Sequence, residues 1–185
     1  MAARLCVIGG LLWMGEAAYD WLVLGRVVNQ GYEASQITDY AGFIIPLLCL
    51  GGVFAIRSRF GRPLGAFAVI MTIGLTLLSI FYASEAYVPH IPGGLLFMAP
   101  GLLLHWIGAL FFALRLFHQS DVPRVLKILS VALFGSNSIL FIVPFFYGMM
   151  DKAWETPLTV GSVMVIGFVW MCLGKVMAAM DRSVY

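Results

Sequence analysis

The chain reads as an all-α, polytopic membrane helix bundle, and three observations carry that expectation. Hydrophobic residues make up 62% of its 185 residues and charged residues only 11%. A soluble domain carries about 25% charged residues, so this chain has too few polar side chains to cover a water-facing surface, and lipid is the solvent for most of it. Apolar runs long enough to cross a bilayer follow one another with short breaks between them. The basic residues fall in alternate breaks, the asymmetry that orients a multi-pass protein.

A spanning helix needs about 20 mostly apolar residues. Segments of that kind cover roughly 4–28, 38–57, 63–84, 93–117, 123–149 and 157–180, which predicts six transmembrane helices in a single domain over 1–185. The first break, Asn29 to Thr38, is polar. Arg57 to Pro63 reads as a tight basic turn, with Pro63 placed to open the next helix. Pro89 to Gly94 stops one helix and starts another. His118 to Pro123 is polar, and Pro123 again suits a first helical position. Asp151 to Pro157 forms the last break. Arg57, Arg59, Arg62, Arg115, Arg124, Lys127 and Lys175 then share one side, which places both termini in the cytoplasm, with the cell (inner) membrane as the expected location. The loops are short, so any chemistry sits in the membrane or at its immediate surface.

Phe43-Ile44-Ile45-Pro46 echoes Phe141-Ile142-Val143-Pro144, but the likeness does not extend to an acidic pair. Both prolines are expected to interrupt their helices and so to lie near a cavity. The N-terminal apolar run is long enough to span and reads as a retained helix. Cys6, Cys49 and Cys172 lie in apolar runs without CxxC spacing, which argues for small buried thiols over disulfides or zinc. The net charge of +2 and the lack of a Lys/Arg-rich run argue against a nucleic-acid partner.

The feature that stands out is Trp13-Met14-Gly15-Glu16-Ala17-Ala18-Tyr19-Asp20. Glu16 and Asp20 are spaced i, i+4 and so share one face of the first helix, with Trp13 on it and Tyr19 at its edge. A charge near the bilayer midplane costs at least about 2.5–3.5 kcal/mol. Two like charges one turn apart cost more, so the pair is expected to share a proton or hold a cation. The plain alternative is two hydrogen-bonded carboxyls gluing helices together. His105 lies mid-segment in the fourth helix, flanked on its face by Gly101, Gly108 and Ala109, and suits either a proton relay or a structural hydrogen bond. Ser136 and Asn137 lie at a similar depth in the fifth helix. Three helices thus place their most polar residue at one level, as a shared internal pocket would require. Glu85 reads mainly as an interfacial residue at a pocket mouth. Lys175 reads as a snorkelling side chain.

Two readings share the residues Glu16, Asp20 and His105, with Trp13, Tyr19, Asn137, Ser136 and Glu85 around the substrate. In the first, the acidic pocket binds and transports a small solute or cation, with proton coupling as an option. In the second, the same groups act as acid and base in a membrane-embedded isomerase or cyclase on an isoprenoid- or sterol-like substrate. A third reading is a non-catalytic subunit that docks against other membrane proteins or its own copies. None calls for a metal or a cofactor; His90 and His118 fall in loops on opposite sides, so neither pairs with His105 as a haem ligand.

Overall fold

The computed structural model describes residues 1–27, 42–61, 64–87, 94–120, 122–142 and 152–182; a few side chains inside these ranges, those of Asp20 and Glu85 among them, are not described. Arg62, Pro63, Pro144, the whole of the first break and the third break from Pro89 to residue 93 lie outside the described residues. The described residues form helices and turns with no strands. In chain order these are α1 (Ala2–Val27), α2 (Ile44–Phe60), α3 (Gly65–Tyr87), α4 (Ala99–Phe117), α5 (Arg124–Ile142) and α6 (Lys152–Arg182), with a π-helical segment (Gly94–Met98) leading into α4.

Several boundaries differ from the expectation, each for a local reason. The stretch Arg57–Phe60 is not a turn but the last turn of α2, since none of its residues resists helical geometry. The helix stops at Gly61, whose φ of 68° is open to glycine at little cost, and its N–H bonds back to Arg57 O. At the other end α2 starts at Ile44, so Pro46 occupies the first turn, where a missing N–H leaves no intrahelical bond unmade. Gly42 just ahead is also helical and Phe43 is a turn, so the helical backbone is interrupted shortly before Pro46. Pro157 was expected to open the last span, yet α6 begins at Lys152 and carries Pro157 inside it. Its position near the helix start limits the loss to early backbone bonds.

Consecutive helices pack side by side, and α6 returns to α1, closing a ring. Every seam is antiparallel. Gly10 lies against Gly167 and Met171, while Gly174 lies against Ala3 and Val7. Gly51 meets Ala2 and Gly9 meets Cys49 across the α1–α2 seam. Gly101 faces Leu78 and Gly108 faces Met71, so the small residues beside His105 do admit a close neighbour, α3. At Gly10 a Cβ would overlap the backbone of Gly167 and Met171, so only glycine lets α1 and α6 approach this closely.

The antiparallel order gathers the ends. The described basic side chains Arg4, Arg57, Arg59, Arg115, Arg124, Lys127 and Lys175 all stand at the start of α1 or α5 or the end of α2, α4 or α6, which is one end of the bundle. The middle is inverted relative to a soluble protein. Ser79, His105, Ser130, Ser136, Asn137 and Ser162 are buried, while Ile8, Leu11, Phe54, Ile73, Phe111, Ile128 and Phe168 are exposed around the outside. Such a surface is stable in hydrocarbon and not in water. Among the described residues four helices are long and apolar enough to cross a membrane, over Gly65–Ser84, Leu96–Phe117, Arg124–Ile142 and Pro157–Met180. These features mark the chain as an integral membrane helix bundle.

Candidate functional site

Within this ring α4 stands apart from α1 and α6: among the described residues no Cα of α4 comes within 8 Å of a Cα in either helix. Long ring side chains fill the gap. Trp13 from α1 stacks against His105 from α4 with centroids 6.1 Å apart and planes inclined by 21°. Trp170 from α6 stacks against the same imidazole, also at 6.1 Å, inclined by 11°. The three rings form one ladder across the centre of the bundle, and all three residues are buried. Each is placed by its backbone. Gly74 of α3 sits against the backbone of His105, which lets α4 seat deeply on α3 and directs the imidazole inward. Gly52 of α2 leaves room for the edge of the Trp170 ring, where a Cβ would come within 2.9 Å of Cζ3. The thiol of Cys6 donates to Trp170 O at 3.0 Å and ties α6 to α1 at the same level.

Polar groups complete the centre. The side chain of Asn137 on α5 lies beside the His105 imidazole. Its Nδ2 already donates to Leu133 O at 2.7 Å, which leaves the amide oxygen to accept from the imidazole N–H. The imidazole Nε2 is buried and finds no hydrogen-bond partner among the described residues, and the same holds for Trp170 Nε1. These two atoms are a lone-pair acceptor and an N–H donor on neighbouring rungs of one ladder. Leaving each unmade in a buried position costs about 1–3 kcal/mol. Glu16 follows Trp13 by one turn of α1; the residue is half-buried and its Oε2 atom is closed off from the outside.

The structure thus joins Trp13, His105 and Asn137 in one centre, with Glu16 a turn away, and adds Trp170, which sequence reasoning missed. Other expected site residues stand elsewhere. Ser136 donates to Ala132 O at 2.8 Å within its own helix and lines a groove of about 300 Å³ with Pro157, Gly161 and Ser162 of α6. Ser162 likewise bonds within its helix, to Leu158 O. Tyr19 is half-buried on α1. Asp20 and Glu85 have helical backbones, and their side chains lie outside the described residues. By position Asp20 follows Trp13 by seven residues, two turns on the same face.

A second polar link joins α4 and α5 on the flank. Trp106 Nε1 donates to Ser138 Oγ at 2.8 Å, and the indole stacks on Phe134 and Phe141. That indole is satisfied, which sets off the bare N–H of Trp170. No protein family, no curated protein and no solved structure matches this chain. Its class is defined by fold and composition: a compact membrane helix bundle with a buried polar and aromatic centre.

Proposed function

We propose that the protein binds a small polar or cationic solute at the centre formed by Trp13, Glu16, His105, Asn137 and Trp170, and transports it across the membrane. The carrying observation is the pair of buried polar atoms without partners among the described residues, His105 Nε2 and Trp170 Nε1, on adjacent rings of one stack. A ligand that donates to the imidazole and accepts from the indole satisfies both. The π faces of Trp13 and Trp170 favour positive charge, and so does the Glu16 carboxyl one turn along α1. An amino alcohol or a small hydroxylated ammonium compound has all three properties. Proton coupling through Glu16 and Asp20 fits the same arrangement. The reading takes the protein to have six spans, with its basic end in the cytoplasm of the cell that makes it and its site in the inner membrane.

The test is a thermal-shift screen of the detergent-solubilised protein against ethanolamine, choline, tetramethylammonium, potassium, farnesol and cholesterol. A ligand of the folded state stabilises it by about 2.7 kcal/mol at a concentration 100 times its dissociation constant. The expected result is a rise in melting temperature with ethanolamine or choline that is lost in His105→Phe. Stabilisation by farnesol or cholesterol alone would replace transport with acid–base chemistry on a lipophilic substrate. No response to any probe would leave the docking subunit as the better reading.

A further inference from the structure

A groove of about 360 Å³ runs along the outside of the α1–α6 seam at the basic end of the bundle, lined by Arg4, Val7 and Ile8 of α1 and by Lys175, Ala178 and Ala179 of α6. Its composition is divided. Arg4 and Lys175 supply two cations, and the remaining four residues are aliphatic. Among the described residues no acidic side chain lines it and no ion pair to either cation is formed. Both cations are exposed, and Ile8 and Ala179 open the apolar wall to the outside of the bundle.

We propose that this groove is a binding site for an acidic phospholipid, with the headgroup phosphate between Arg4 and Lys175 and an acyl chain along Val7, Ile8, Ala178 and Ala179. Charge complementarity selects an anion, because two cations without an acidic partner among the described residues face one opening. The apolar wall selects an amphiphile over a free anion: a soluble phosphate would cover the cations and leave four aliphatic side chains without a neighbour. Depth agrees with this occupant. The groove lies at the end that carries the described basic residues, the level at which the anionic headgroups of the cytoplasmic leaflet sit. The small side chains of Ala178 and Ala179 leave the width an acyl chain needs. Since α1 and α6 are the first and last helices of the ring, a lipid here would brace the seam that closes it.

Native mass spectrometry of the purified protein with equimolar dioleoylphosphatidylglycerol and dioleoylphosphatidylcholine tests the site. Two interfacial cations correspond to a preference of about 25-fold for the acidic lipid. Arg4→Gln with Lys175→Gln should reduce that preference to near unity while both lipids still bind. A photoactivatable phosphatidylglycerol on the unaltered protein should cross-link to the peptides holding Val7–Ile8 and Ala178–Ala179, a readout that does not depend on the variant folding. Equal retention of the two lipids, or cross-links confined to other helices, would overturn the proposal. So would equal protection by glycerol 3-phosphate, which would identify an aqueous anion site.

Discussion

The imidazole of His105 lies nearly parallel to the indole of Trp170, their planes 11° apart, and each ring carries a buried nitrogen without a partner among the described residues. Aromatic packing alone would not need a histidine here. Phenylalanine would stack as well and would bury no lone pair. Replacing His105 by Phe should therefore keep the ladder, remove the orphaned Nε2 and leave the Asn137 oxygen unpaired. We expect a melting temperature within a few degrees of the parent and loss of response to the amino alcohol probes. Replacing His105 by Ala should instead open a cavity and destabilise the protein by on the order of 2–4 kcal/mol. Differential scanning fluorimetry in detergent measures both. A His105→Phe protein that still responds fully to the probes would remove the imidazole from the site.

The carboxyl turn gives a separate prediction. An amide keeps the shape and most of the hydrogen bonding of a protonated carboxyl but can neither release a proton nor carry negative charge. Glu16→Gln should leave expression and melting nearly intact while abolishing solute binding. Asp20→Asn should do the same or shift the pH optimum, because two carboxyls one turn apart titrate together. A double variant with full binding would reduce both groups to hydrogen-bonding links between helices.

The glycines form a graded series. A Cβ at Gly10 would meet the backbone of Gly167 and Met171, neither of which can turn aside. A Cβ at Gly108 would meet the side chain of Met71, 2.5 Å from Sδ, and that chain can move. A Cβ at Gly15 would meet nothing within 4 Å. Gly10→Ala should thus be the most damaging, by about 3 kcal/mol. Gly108→Leu should cost about 1–3 kcal/mol through overpacking. Gly15→Ala should be neutral or stabilising by up to about 1 kcal/mol, since it relieves the entropy cost of a helical glycine. Equal melting of the Gly10 and Gly15 variants would separate α1 from α6.

Topology is open to labelling. Cys6 and Cys49 are buried, so exchanging the half-buried Cys172 for Ser gives a quiet background. Single cysteines at Ser58 and Ser120 should then react only from the cytoplasm. Cysteines at Ser35 and Thr156 should react only from outside. Ser58 and Ser35 reacting from the same side would defeat the six-span arrangement.

Much of this was legible before any coordinates. The helices follow from apolar run length, because in hydrocarbon the backbone has no other partner than itself. The approach of His105 and Asn137, with Glu16 a turn from the same centre, could be anticipated from their common depth, since a polar group in a spanning helix turns inward; Trp13 shares the helix face of Glu16. Trp170 could not, for it sits in a run of apolar residues and reads as packing. A signal was present, however. Interfacial tryptophans belong at segment ends, and Trp170, like Trp13, lies well inside its segment, where a buried N–H needs an acceptor. Ser136 is a weaker signal for the opposite reason: a hydroxyl on a helix can bond its own backbone four residues back, as Ser136 does, so its presence says little about a site. The extension of α2 through Arg59 was hidden because charge marks the edge of the membrane, not the end of a helix.

The glycine seam between α1 and α6 bears on how the molecule is made. Its contacts join α1, the first described helix, with α6, the last. Until α6 arrives, α1 must wait in the bilayer with Glu16 and Asp20 on it and without the surface that will cover its small-residue face. Between the synthesis of α1 and that of α6 the acidic turn therefore stays on an unfinished helix among lipids, and the aromatic ladder cannot assemble until Trp170 is delivered. The arrival of α6 is, as a consequence, a closing event that buries the seam and completes the polar centre together.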